Sequence, residues 1–478
     1  MNHRGRRVVG VLALAASGAV LACENSVTKD LLEVTDPDVI DPSSVQSLEG
    51  ANAVRLGAIG RLRDATGSAE SSWLFGGLLA DEWSTSSTFV QNDETDQRAV
   101  SLSNGTVTTF LRNLYRVRTA TNQAIPLLKK YKPTPTADIA EMYLARGFAE
   151  LQLALDFCNG IPLSDGAADI PVLGTPLTGA EVFAVAAASF DTAMQQSTAT
   201  DAASVIVQRA ARIGKARALI GATNANLATA AALVSVAQVP STYTYDETFS
   251  ITSGVGDNIL WNQPSSQRRY TVGDSIEGNA RNLMVKNAIP FFSAKDPRLP
   301  VIYTVSANGK DTTKSQDGFT FSRTTPLYAR TTNVALANGI DARLIEAEAA
   351  LAAGNPALMM TILNGLRASP PAIGIFNGLT GGSPLLTAAQ LPPLADPGTA
   401  AGRLDLLFRE KAFWTFSRGQ RLGDMRRLVR QYSRTQDQVF PVGPHYRGGV
   451  YGTDVNLPIV DNEANGNPNF KGCTDRKA

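Results

Sequence analysis

Two stretches far apart in the chain share one pattern, and that pattern narrows the folds open to it. Residues 215–240 read KARALIGATNANLATAAALVSVAQVP, and residues 341–369 read DARLIEAEAALAAGNPALMMTILNGLRAS. Each is an alanine-rich helix, a short turn with Asn and Gly, and a second helix rich in Ala and Leu. Small residues facing one another let the two helices of such a unit pack closely. The rest of the helical signal agrees. Leu48, Ala51, Val54 and Ile59 share one face of a helix predicted over 43–66. A long helix runs from Thr106 to Tyr131 and is ended by Pro133 and Pro135. The next starts near Thr136, carries Leu144, Phe148, Leu151 and Leu155 at helical spacing, and stops at Asn159-Gly160-Ile161-Pro162. Further helices are predicted at about 178–198, 201–220, 225–237, 399–416 and 420–432.

Helix–turn–helix units of about 34 residues are the tetratricopeptide type, here interrupted and irregular. The interruption has its own character. Residues 242–335 hold β-branched or alternating runs such as Tyr243-Thr244-Tyr245, Val301-Ile302-Tyr303 and Thr320-Phe321-Ser322, punctuated by Gly, Ser, Asn and Asp. They predict short strands and long loops laid on the helices. Residues 84–106 and the proline-rich 370–398 also read as loops.

The chain begins with Arg4, Arg6 and Arg7, an apolar run from Val8 to Leu21, and then Ala22-Cys23. A charged head, a short apolar stretch and a small-residue exit make a secretory signal, too short to span a bilayer comfortably. A cysteine at that exit resembles the lipobox of bacterial lipoproteins, with Cys23 the lipidated residue. Two or more acyl chains give stable anchoring. Residues 1–22 are thus the signal peptide and 23–42 the lipidated tether. The leader carries three arginines and no acid, so its removal takes 44 basic residues to 41 against 43 acidic ones. Near neutrality argues against a nucleic-acid partner. Cys158 and Cys473 then remain. In an oxidising compartment they either pair, closing a loop of about 315 residues, or stay as two buried thiols.

Catalytic chemistry is thin. His445 is the single histidine after the leader, which removes most routes to a His-based catalyst or a metal site. Gly273-Asp274-Ser275-Ile276 looks like a GDSL hydrolase block, but Val442 stands where the partner Asp-x-x-His motif needs its acid. There is no phosphate loop, no Gly-x-Gly-x-x-Gly and no Cys-x-x-Cys, and no cofactor is implied. Asp81/Glu82 or Asp93/Glu94 would serve a glycosidase only if two carboxylates lay about 5–10 Å apart in a cleft. What the loops do carry is rings beside amides, acids and arginines. In 73–98 these are Trp73, Phe75, Trp83 and Phe89 with Asp81, Asn92, Asp93 and Arg98; in 257–274 they are Trp261 and Tyr270 with Asn262, Gln263 and Arg269. Flat rings stack on sugars or peptides while polar groups bond their edges. Trp73 and Phe75 sit in an apolar run and read as core. Trp83, Phe89, Trp261 and Tyr270 are either stacking groups, with Asp81, Asn92 and Arg269 as polar contacts, or loop anchors.

Several blocks, in order along the chain, carry a family resemblance. Residues 403–432, RLDLLFREKAFWTFSRGQRLGDMRRLVRQY, resemble the C-terminal helix pair of SusD/RagB nutrient-uptake lipoproteins. Tyr451–Ile459 with Asn462-Glu463 and Asn467-Pro468 look like that family's closing block, and Asp296-Pro297-Arg298-Leu299 like its mid-chain element. Ala145–Ser164 and Leu31-Leu32-Glu33-Val34 match its early helix and its start. The resemblance implies a mainly α fold of four tetratricopeptide-like helix pairs with an irregular loop-rich lobe containing short strands. One domain would cover 43–478: scaffold at about 43–240 and 339–432, lobe at about 241–338 and 370–398, closing block at 433–478. It further implies a non-enzymatic, lipid-anchored outer-membrane protein at the cell surface. Such a protein captures a glycan or peptide and hands it to a SusC-like TonB-dependent transporter. Glu24-Asn25-Ser26 is a poor version of the acidic run that surface-exported relatives carry. Arg421, Asp424 and Arg426 read as structural ion pairs and caps. The competing reading is a protein-interaction scaffold on the transporter with no small ligand of its own.

Overall fold

A computed structural model describes residues 45–478 apart from 69, 168–169, 223, 252–255, 278–282, 306–311, 374–375 and 377–385. The leader, Cys23 and the tether therefore lie outside the described residues. Several helices begin where side chains can satisfy their free N–H groups. Ser47 caps α1 (Leu48–Arg63), Asn104 caps α4 (Gly105–Tyr131), and Thr178 with Glu181 forms a capping box on α6 (Gly179–Gln196). Asn338 with Asp341 does the same for α9 (Gly339–Ala352). Between these run α2 (Ser72–Leu79), α3 (Val90–Asp96), α5 (Thr136–Asp156), α7 (Ala202–Gly221) and α8 (Leu227–Leu233). The chain continues with α10 (Pro356–Ala368), α11 (Ala400–Trp414) and α12 (Arg421–Gln431).

Neighbouring helices pack as antiparallel pairs: α4 on α5, α6 on α7 and α9 on α10, with α5 and α6 in the most extensive contact. Close approach is made possible by absent side chains. A Cβ on Gly147 of α5 would meet the Phe190 ring at 2.8 Å, and one on Gly214 of α7 would meet it at 2.3 Å. Phe190, from α6, thus fills a slot between two bare helix backbones. The two patterned segments of the sequence are both found as helix–turn–helix units, and they pack on each other through α8 and α9.

The chain between them forms the lobe. It leaves the scaffold along β2 (Thr244–Glu247) and returns along β4 (Val334–Asn338), which pair antiparallel with a bulge between Ala335 and Ala337. Short strands and loops fill the rest, as the sequence predicts. One cluster of buried side chains joins lobe and scaffold, with Tyr270, Phe291 and Leu327 of the lobe in the same core as Trp83 and Trp414. A disulfide joins Cys158, just past the end of α5, to Cys473 in the C-terminal tail, with Cα atoms 5.9 Å apart. No helix among the described residues is long and apolar enough to cross a membrane. The segment 84–106, read as loop, contains α3; its sequence, VQNDETD, has no apolar periodicity to announce a helix.

Candidate functional site

The two ring-bearing segments singled out in the sequence do meet. β1 (Trp83–Thr85) pairs antiparallel with β3 (Tyr270–Val272), Thr85 opposite Tyr270, and the Ser86 N–H donates to the Arg269 carbonyl at 2.9 Å. The strands, however, carry their rings inward. Trp83 is 1% exposed and Tyr270 wholly buried; their rings meet edge-on at 6.5 Å, and the Trp83 Nε1–H donates to Ser417 Oγ at 2.9 Å. Asp81 is equally occupied: both carboxylate oxygens accept from Arg421, at 2.7 and 2.8 Å, and Oδ2 also accepts the Ile289 N–H. Asn92 is buried in α3. Trp83, Tyr270, Asp81 and Asn92 are thus core and clamp in this structure, not an open stacking surface. The short strands are covered on both sides, so ring chemistry in the sequence did not mean ring exposure.

Phe89, Trp261 and Arg269 remain at the surface. Phe89 is 43% exposed, and the Arg269 guanidinium lies over its ring at 4.6 Å while also pairing with Glu70 at 3.3 Å. A second ring is held in the same way. The Arg447 guanidinium lies 4.9 Å over Phe319, which is 44% exposed, and is itself braced by Asp317 at 3.3 Å and Asp93 at 3.5 Å. Gln316 joins the two, its Oε1 accepting from the Ser87 hydroxyl at 3.0 Å and the Thr88 N–H at 3.2 Å. Trp261 is half-buried, with Arg330 at 6.0 Å from its ring and Arg330 paired to Asp257. Burial pushes the Glu70 carboxyl up against the pull of Arg269, and pushes Asp93 up against its bond from Thr85.

From Phe319 the hairpin leads to a ladder of rings. Phe321, Tyr303 and Phe292 follow one another edge to face, with centroids 6.3 and 5.0 Å apart. Tyr303 is 44% exposed and the two phenylalanines are half-buried. Sequence reasoning missed Phe292, Tyr303, Phe319, Phe321 and Arg447. The strand signals at Val301-Ile302-Tyr303 and Thr320-Phe321-Ser322 were present, and a lone ring among small polar neighbours was the available sign of an outward face.

Most charged residues of the C-terminal block lie inside. Arg418 pairs bidentately with Asp341 at 2.9 and 2.7 Å, and Arg298 with Glu410 at 2.8 and 3.0 Å. Lys411 bridges Glu348 at 3.0 Å and Asp424 at 2.7 Å, and Arg427 pairs with the same two acids. Burial opposes ionisation of Glu348, yet Arg427 and Lys411 hold its carboxyl well below the usual range. Arg426 donates to the carbonyls of Ala154 and Leu155, capping the end of α5. Beside Asp81, burial pushes Glu82 up to about 8 against a bond from the Ser417 N–H. That carboxylate pair is buried away from solvent.

No family model matches this chain, and no curated protein does. Solved structures do match it. A SusD superfamily protein from Bacteroides vulgatus superposes with a TM-score of 0.59 at 15% identity, covering 90% of this chain and 99% of the other. A SusD-like carbohydrate binding protein from Bacteroides fragilis gives 0.61 at 13%, covering 89% and 99%. This chain has the SusD-like fold. Surface glycan-binding protein A from Bacteroides uniformis shares it, at a TM-score of 0.55 and 13% identity over 89% of this chain and 99% of that one. Identity this low over nearly whole chains means that the SusD-like fold tolerates exchange of most side chains. In this chain the sequence blocks at 296–299 and 403–432 supply the buried pair Arg298–Glu410 and the arginines of two more, Arg418–Asp341 and Arg427–Glu348, whose acids lie in α9. Within the SusD-like fold these blocks hold helices and lobe together; the exposed rings come from elsewhere.

Proposed function

We propose that the protein is a non-enzymatic, lipid-anchored outer-membrane binding protein of SusD/RagB type. It captures a glycan and passes it to a SusC-like TonB-dependent transporter, and a peptide is the other ligand class its scaffold would suit. The reading is carried by one observation: the lobe of a SusD-like fold presents exposed rings backed by arginines and bordered by amides. The similarity to a carbohydrate binding protein and a surface glycan-binding protein supports it. Rings stack on the apolar faces of sugars, and guanidinium and amide groups bond the hydroxyls. Cys23 is the anchor in this reading, and Phe89, Arg269 and Trp261 remain as contacts from the original set, joined by Phe319 and Tyr303. The test is a glycan and peptide array followed by calorimetry on hits. A saturable glycan hit weakened in Phe89→Ala or Tyr303→Ala, with an unchanged melting temperature, supports the assignment. Silence on both arrays from folded protein overturns it.

A second reading rests on a different feature. An apolar groove of about 930 Å³ lies between α8, α9 and α10, walled by Ala228, Ala231, Ala349, Leu358 and Ile362. It favours a tetratricopeptide-like scaffold that holds the transporter. Loss of transporter co-purification in Leu358→Arg, with glycan binding absent from the parent, would establish that reading.

A further inference from the structure

The ring ladder is bordered by positive charge that nothing in the described protein neutralises. The Lys295 ammonium sits 3.8 Å from the centroid of the Phe292 ring, and the Lys314 ammonium 3.4 Å from that of Phe321. Arg268 stands next to Lys314, its Nη1 donating to the Lys314 carbonyl at 3.0 Å. Among the described residues, no carboxylate pairs with Lys295, Lys314 or Arg268. Three of the lobe's described acids are already held by arginines: Asp296 by Arg298, Glu277 by Arg323 and Asp317 by Arg447. A ring face attracts an ammonium but does not cancel its charge. Each lysine is thus held in place with hydrogens left to donate, at either end of a row whose middle ring, Tyr303, is exposed.

We infer that the face around Tyr303 selects acidic glycans, those bearing uronic-acid carboxylates or sulfates, over neutral ones. The inference rests on the glycan-capture reading and narrows it to a ligand class. A sugar ring stacks on Tyr303, and its anionic substituents meet Lys295 on one side and Lys314 with Arg268 on the other. Charge-assisted bonds of this kind add to stacking and give the selectivity.

The test titrates the purified protein with oligogalacturonate, its methyl ester, a chondroitin sulfate oligomer and a neutral glucan of equal length. At least one acidic oligomer is expected to bind about tenfold more tightly than the ester and the glucan. Added salt should erode that advantage. The double variant Lys295→Gln/Lys314→Gln should lose the advantage while keeping its melting temperature and any neutral binding, whereas Tyr303→Ala should weaken both classes. Neutral oligomers binding as well as acidic ones, or acidic binding that survives the double lysine variant, would overturn the inference and leave glycan capture standing. Binding of anionic lipid vesicles with no glycan bound would overturn both, and would make this face a lipid contact.

Discussion

The C-terminal helix pair and the lobe surface place their side chains in opposite ways. In α11, α12 and the turn between them most charges are inside: Glu410, Lys411, Arg418, Arg421 and Arg427 are all buried and paired. On the lobe and the 84–106 segment beside it the rings are outside, with Phe89, Tyr303 and Phe319 each more than two-fifths exposed. Buried ion pairs bring little net stability over apolar substitutes, but losing one partner is costly. Exposed rings gain nothing from burial until something covers them. The charged helices therefore define the shape, and the apolar surface is where contact with another molecule is expected.

The largest expected effect comes from breaking the clamp. Arg427→Leu leaves Glu348 with Lys411 and Tyr432 only, and should cost about 3–5 kcal/mol in urea unfolding. A loss below about 1 kcal/mol would show that the network is open to water. Trp83→Ala should cost a similar amount, about 3–5 kcal/mol, through its cavity and the lost bond to Ser417. Any weakening of glycan binding in that variant should track unfolding; weaker binding at unchanged stability would return Trp83 to the ligand site.

A medium effect is expected with pH. Burial raises Glu82 to about 8 and Asp156 to about 7, both above their values in an unfolded chain. The folded state then holds protons that the unfolded chain has released. This contribution is complete below about pH 4 and is lost as pH rises through 7 and 8. The fall in melting temperature between about pH 5 and pH 8 should be shallower in Glu82→Gln, which keeps the neutral form. An equal slope in variant and parent would mean that Glu82 is already ionised. The smallest effect on stability is expected at Phe89→Ala, within about 1 kcal/mol, and its cost should appear in binding. A large loss of stability there would erase the contrast between clamp and surface.

Helix periodicity and stop signals located the scaffold well. The predicted 106–131, 201–220 and 420–432 are found as Gly105–Tyr131, Ala202–Gly221 and Arg421–Gln431. Proline and glycine punctuation acts locally, so it can be read locally. The ladder could not be read that way, because Phe292, Tyr303 and Phe321 meet only once three separate segments fold together. Trp83 misled for the complementary reason. Its neighbours Ser84 and Thr85 look like a solvent-facing strand, yet Thr85 is buried with its N–H bonded to Asp96, and Ser84 is bonded to Glu277. Polar residues there satisfy one another, so the alternation that normally marks an outer face is missing.

The pairing of β2 with β4 has a consequence for how such a molecule can change. The lobe enters and leaves through one narrow neck, where Thr244 stands opposite Asn338 and the Gly339 N–H bonds the Tyr243 carbonyl at 2.8 Å. A segment whose two ends are fastened side by side, and whose floor of Tyr270, Phe291 and Leu327 is fixed in the helical core, can lengthen or shorten its exposed loops without pulling on the helices it interrupts. The loops that carry Tyr303 and Phe319 can then be rewritten while the frame beneath them stays the same.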